Sequence, residues 1–101
     1  HQAPVTWVVF DNRSLGWIKF GQRGLGERYI ATDYTTQPDF ARLAQACGCY
    51  GENVGQPDAV RGALERALQA NEAGQPAVVV FSVDGWDFSE GFYAYYKLKK
   101  A

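Results

Sequence analysis

The feature that most constrains this chain is its alternation between two hydrophobic rhythms. Val5–Phe10 ("VTWVVF") and Ala77–Val83 ("AVVVFSV") are nearly continuous in apolar and β-branched residues. That is the pattern of strands covered on both faces. Cys49–Val54 is a shorter, weaker strand signal, and Pro76 and Asp84-Gly85 bracket the last run. Between the strands the spacing becomes helical. In "PDFARLAQACG", Phe40, Leu43, Ala44 and Cys47 recur at i, i+3, i+4 and i+7, which predicts a helix over Phe40–Cys47 with Cys47 in the core. Pro38 suits its first turn, Asp39 complements the helix dipole, and Gly48 ends it. "PDAVRGALERALQANEAG" repeats the plan over Ala59–Ala70. Pro57 and Asp58 open it, Val60, Ala63, Leu64, Ala67 and Leu68 form the stripe, and Gly74 closes it. A shorter helix runs from near Ser14 toward Gln22. The order β-α-loop-α-β-α-β predicts an α/β fold: a partial parallel sheet flanked by helices, with right-handed crossovers.

The chain has 101 residues, enough for one domain with a modest core. Its formal net charge is -1, which gives no electrostatic case for nucleic acid or an anionic membrane. The apolar runs are strand-sized, far short of a membrane span. Cys47 and Cys49 are separated only by Gly48, too close for an unstrained bridge, which fits a reducing, cytoplasmic setting. The first residues, "HQAPVTWVVF", lack Met and lead straight into a strand. With only three strands, this reads as a piece of a larger sheet.

Val5–Phe10 ends abruptly in Asp11-Asn12-Arg13-Ser14. In open α/β sheets, ligands sit beyond the carboxyl ends of the strands. An Asn side-chain oxygen and a loop carbonyl are hard donors suited to Mg²⁺, which often bridges to phosphate. The simpler alternative is that Asn12 or Ser14 caps the following helix.

"PVTWVVFDNRSLGWIK" resembles the second half of the thiamin-diphosphate motif of acetolactate synthase-like enzymes, a motif that opens with Gly-Asp-Gly and closes on a strand followed by Asn-Asn. "RYIATDYTTQPDFARLAQACGCYGENV" and "QPAVVVFSVD" extend the resemblance from residue 4 to about 84. It implies a thiamin-diphosphate-binding, Rossmann-like fold, with residues 1–84 as the C-terminal half of that domain; 85–101, the least family-like part, follow as an aromatic tail read as helical from its own residues. It also implies thiamin diphosphate and Mg²⁺ as cofactors of a parent enzyme acting on a 2-keto acid as carboligase or decarboxylase, in a homo-oligomer. By the same resemblance, Asn12 gives its side-chain oxygen to the metal and Ser14 its backbone carbonyl. Leu15, Gly16, Trp17 and Ile18 lie near the cofactor and substrate pocket, although Trp17 has the alternative of an ordinary buried aromatic. Asp11 stands where the family usually has the first Asn. The Gly-Asp-Gly half and the pyrimidine-binding domain with its activating glutamate are absent from these residues, and His1 can replace neither. No catalytic residue is therefore expected here, and the isolated chain is expected to be inactive.

Other signals point to structure. "GQRGLG" lacks the dinucleotide-binding spacing. Arg23–Gln37 reads as a long surface loop of the kind that often carries function. Cys47 and Cys49 lack partners for a zinc site, Asp33 and Asp39 form no convincing acid–base pair, and Glu65 and Arg66 read as solvated helix residues. In "DGWDFSEGFYAYYKLKKA", Ser89 can cap a short helix bearing Phe92, Tyr95, Tyr96 and the stem of Lys99, packed against the domain or a partner. Two alternatives stay open: a freestanding, non-catalytic α/β interaction module, and a single-stranded nucleic-acid binder using the aromatic tail, which the charge balance disfavours.

Overall fold

A computed structural model describes residues 3–95 and 97. The expectations for His1, Tyr96 and Lys99 lie outside the described residues. Contacts gather the chain into two units: the residues up to Asp11 with Pro38–Val83, and Asn12–Gln37 with the residues from Asp84 onward.

The first unit holds the sheet. β1 (Thr6–Asp11), β2 (Tyr50–Val54) and β3 (Ala77–Ser82) are all parallel, in the order β1-β3-β2. Thr6 pairs with Ala77 on one side of β3, and Tyr50 pairs with the same residue on the other. With β3 in the middle, its alanine and valines carry the core: Ala77, Val79 and Val80 are buried.

Two helices of this unit cover opposite faces. In numbering by chain order, α1 (Gly16–Gly24) and α4 (Glu90–Tyr95) belong to the second unit, while α2 (Phe40–Ala46) and α3 (Val60–Glu72) belong here. Gly51 lies under α2, so close that a Cβ there would sit 2.2 Å from the Ala41 carbonyl oxygen. Ala63 and Ala67 of α3 pack with Val54, Ala77 and Val79. Residues 51 and 54 differ in parity along β2, so α2 and α3 lie on different faces. Asp39 is the N-cap of α2, its side chain accepting from the Arg42 N–H. Gly48 (φ 79°) follows that helix in the left-handed conformation glycine tolerates. A 3₁₀ turn at Pro57–Ala59 leads into α3.

Three details depart from the sequence reading. β1 is not covered on both faces: Trp7 is 68% and Phe10 71% exposed. The strand order makes β1 an edge, and the flanking helices reach mainly β2 and β3. The buried stripe of α2 is Ala41 and Ala44, whereas Leu43 and Cys47 are exposed. The backbone approach over Gly51 admits only small residues there, which rotates the larger ones outward. Arg66 is not simply solvated. Its guanidinium grips Glu52 with two hydrogen bonds, while the Tyr50 hydroxyl donates to the same carboxylate.

The second unit has an aromatic core. Phe20 is fully buried, its ring 4.4 Å from that of Phe88, 4.6 Å from Phe92 and 5.2 Å from Tyr93. The Tyr93 hydroxyl donates to the Trp86 carbonyl. The tail helix therefore builds its own unit's core with α1, and the Ser89 carbonyl accepts from the N–H groups of Phe92 and Tyr93 at its start.

Candidate functional site

The segment after β1 makes a compact turn. The Asn12 side-chain oxygen accepts from the Ser14 N–H at 3.2 Å, closing a small ring in which Arg13 takes a left-handed φ of 55°. Ser14 then pairs antiparallel with Asp33. Its flanking bonds run from the Leu15 N–H to the Thr32 carbonyl (2.8 Å) and from the Tyr34 N–H to the Arg13 carbonyl (3.1 Å). Those bonds bracket Ser14 without using it, so Ser14 is the non-hydrogen-bonded member of the ladder. Its own N–H and C=O consequently point away from Asp33. The N–H reaches the Asn12 amide, and the carbonyl is directed off the ladder.

The helix that follows does not use these side chains as caps. The N-cap of α1 is Leu15, which has no side-chain capping bond. The capping alternative for Asn12 and Ser14 thus gives way to a turn made by the Asn12 amide alone.

Two glycines fit around this turn. A Cβ on Gly16 would lie 2.6 Å from Asn12 Nδ2, so the missing side chain is the space the amide occupies. A Cβ on Gly85 would stand 3.5 Å from the Asn12 carbonyl oxygen and 3.6 Å from Ser14 Oγ, which brings that loop into van der Waals range. The sequence reading singled out Gly16 but not Gly85 as a neighbour, nor Thr32, which is 2% exposed with its hydroxyl lacking a hydrogen-bond partner among the described residues. The long loop carrying Thr32 was the available signal.

The remaining candidates line up beside the turn. Leu15 is 40%, Trp17 66% and Ile18 51% exposed. Trp17 meets Phe92 edge-on at 4.5 Å but is not a buried aromatic. Lys19 on the same helix pairs with Asp33 at 2.6 Å and lies over the rings of Tyr29 and Trp86. Asp33 is thus an ion-pair partner. The segment offers two hard oxygen atoms, one amide and one carbonyl, followed by an exposed apolar run.

Among the described residues, the groups with shifted proton affinities belong to the first unit and hold its fold. The Asn53 amide and the Arg42 N–H lower the pKa of Asp39. Arg66 holds the Glu52 carboxyl below its usual value, and burial beside Glu52 raises that of the Tyr50 hydroxyl.

Residues 1–81 match the model of the thiamine pyrophosphate enzyme C-terminal TPP-binding domain. The chain belongs to that family. It is 37% identical over 71 residues to the acetolactate synthase isozyme 2 large subunit of Escherichia coli, covering 69% of this chain and 13% of that protein. A probable acetolactate synthase large subunit of Methanococcus aeolicus is 29% identical over 85 residues, or 83% of this chain and 14% of its own length. The acetolactate synthase isozyme 3 large subunit of E. coli is 31% identical over 86 residues, or 84% and 15%. The chain therefore spans about one-seventh of the length of these relatives. This thiamine pyrophosphate-binding segment is α/β, with a three-stranded parallel sheet flanked by helices. Among the described residues no helix is long and apolar enough to cross a membrane.

The family model is that of a thiamine pyrophosphate-binding domain, and a diphosphate carried with a hard divalent cation would call for a few protein oxygen donors beside its own. One Asn oxygen and one carbonyl, with space for the amide kept by Gly16, meet that need.

Proposed function

We propose that this chain supplies the downstream half of the metal-diphosphate site of a thiamin-diphosphate- and Mg²⁺-dependent enzyme acting on 2-keto acids, an acetolactate synthase-like carboligase or decarboxylase. Asn12 gives its side-chain oxygen and Ser14 its backbone carbonyl to the metal. Leu15, Gly16, Trp17 and Ile18 form the wall beside the cofactor. Residues 1–84 act as the cofactor-binding half and 85–101 as its aromatic tail, in a homo-oligomeric parent working in the cytoplasm. When bound, the cofactor supplies the carbanion chemistry. This chain's residues anchor and orient it.

One observation carries the reading. Ser14 sits in a ladder that leaves its carbonyl unused, while its N–H orients the Asn12 amide. Helix capping does not explain this arrangement, because Leu15 is the cap. The exposed apolar side chains of Leu15, Trp17 and Ile18 suit the organic part of a cofactor whose diphosphate is held by the turn.

Mg²⁺ and thiamin diphosphate should be titrated into the full-length enzyme carrying this segment. Asn12→Leu is expected to weaken metal-diphosphate binding, since an aliphatic group cannot replace an oxygen donor. Ser14→Ala should leave it nearly intact, because the proposed ligand is a backbone atom. Unchanged affinity in the Asn12 variant defeats the assignment. The isolated chain contains no Gly-Asp-Gly, and the resemblance puts the activating glutamate in a domain outside these residues, so the chain is expected to consume no pyruvate. Cofactor-dependent turnover by the pure chain would show that the site is more complete than proposed.

A further inference from the structure

The turn from α2 into β2 carries Cys47, Gly48 and Cys49, two thiols one glycine apart. Both are free; Cys47 is exposed and Cys49 half-buried. The backbone around them is fixed. The Gly48 N–H donates to the Gln45 carbonyl (3.0 Å) and the Cys49 N–H to the Ala44 carbonyl (2.9 Å), the two bonds that close a helix around a left-handed residue. Gly48 is that residue, with φ 79°. From the other side, the Gln75 amide donates to the Gly48 carbonyl at 3.1 Å, and the Tyr50 N–H to the Pro76 carbonyl at 2.8 Å. A left-handed residue mirrors a helical one, so it sets its two neighbours about 5.4 Å apart at Cα, where an extended residue would leave roughly 6.7 Å. Disulfides span about 4.4–6.8 Å and favour about 5.5–6 Å. The turn that ends α2 therefore holds the two cysteines at a bridging backbone separation before any bridge forms.

We propose that Cys47 and Cys49 form a reversible redox site that exchanges with a low-molecular-weight disulfide such as glutathione disulfide. Cys47, the exposed thiol, loses its proton to solvent and attacks one sulfur of the small disulfide. That S–S bond breaks, one small thiolate leaves and takes up a proton, and Cys47 holds a mixed disulfide. Cys49 then loses its proton, attacks the Cys47 sulfur and expels the second small thiol. Two protein thiols are oxidised to one protein disulfide, and one small disulfide is reduced to two thiols. A bridge across a single residue closes a ring too small to be relaxed, and strained disulfides are the readily reduced ones. The bridge is thus a switch set by the surrounding thiol pool and not a permanent staple. Its closure clamps the passage from α2 to β2, just before Gly51, over which α2 packs. The site lies wholly in the first unit and stands apart from the cofactor reading.

The test equilibrates the full-length enzyme carrying this segment in glutathione buffers of graded ratio, followed by acid quench, thiol alkylation, trypsin and mass spectrometry. Residues 43–61 then form one peptide holding both cysteines. In the wild type this peptide is expected to lose both alkylation sites together, as an internal bridge with no glutathione attached. Closure should be about tenfold more favourable than in the same protein unfolded in urea, because the fold has already ordered Gly48. Cys49→Ser should instead accumulate a glutathione adduct at Cys47. Cys47→Ser leaves only the half-buried thiol and should react about tenfold more slowly. Circular dichroism checks that both variants keep the wild-type helix content. A wild-type adduct that persists without closing, two thiols that stay alkylatable under fully oxidising glutathione, or closure as favourable in urea as in the folded protein would each overturn the proposal.

Discussion

Gly51→Ala should be among the most damaging single-methyl changes in this protein. The new Cβ would lie 2.2 Å from the Ala41 carbonyl oxygen, 3.0 Å from its carbonyl carbon and 3.2 Å from its Cα. All three are backbone atoms of α2, so no side chain can swing aside. Ordinary contact begins near 3.4 Å, so helix and strand must separate by about 1 Å, loosening Ala41 and Ala44 from the sheet. Overpacking a well-filled core costs roughly 1–3 kcal/mol, and a clash confined to backbone belongs at the upper end. For a domain of this size, with a urea dependence of about 1–1.5 kcal/mol per molar, the midpoint should fall by about 2–3 M. Gly55→Ala is the control: nothing lies within 4 Å of a Cβ there, and the change should stay within about 0.5 kcal/mol. Equal midpoints for the two variants would refute the claim that α2 rests on the bare backbone of β2.

Other perturbations separate the turn, the aromatic core and the ion pair. Gly16→Ala should leave stability nearly unchanged, because alanine favours the helix while only the movable Asn12 amide is displaced. Its mark should be a shift of the Asn12 side-chain NH₂ resonances, and unshifted resonances would contradict the cradle. Phe20→Ala should cost about 3–5 kcal/mol and erase near-ultraviolet circular dichroism from the surrounding aromatic rings. Retention of that signal would mean that Phe20 is not the centre of their packing. Glu52 titrates below its usual value because Arg66 holds its charged form. Its stabilising effect is therefore complete above the ordinary carboxylate range and lost as pH falls through the lowered pKa. Arg66→Met should flatten that acid limb in urea melts taken across pH, whereas an unaltered limb would remove Glu52 as its source.

The repeating units of this fold could be read from the chain because local chemistry dictates them. β3, with its run of valines closed by polar residues, and α2, with Pro38 and Asp39 before it and Gly48 after it, announce themselves. Parallel pairing followed from the helices between the strands. Strand order did not, since adjacency in a sheet depends on contacts far apart in sequence. For that reason the exposure of Trp7 and Phe10 on β1 went unread. Helical spacing placed Leu43 and Leu68 in core stripes, but spacing cannot register that α2 approaches a glycine and must turn its alanines inward. At the candidate site, Asn12 and Ser14 stood out by type and position. Their neighbours Thr32 and Gly85 lie 18 and 71 residues past Ser14; the ladder at Asp33 returns the first, and no local pattern announces either.

The central position of β3 bears on how the chain is made. β1 and β2 are synthesised first, yet neither pairs with the other, because each finds its partner in the last strand. Until residues 77–82 leave the ribosome, the edges that β1 and β2 turn toward β3 are unpaired, and α3 lacks the strand it packs on most. Parallel pairings that close such long loops form slowly and leave strands open to wrong partners meanwhile. A stop before Ala77 therefore removes the strand with which both β1 and β2 pair in this segment, so such a truncated product should be taken up by chaperones and proteases more readily than the full segment.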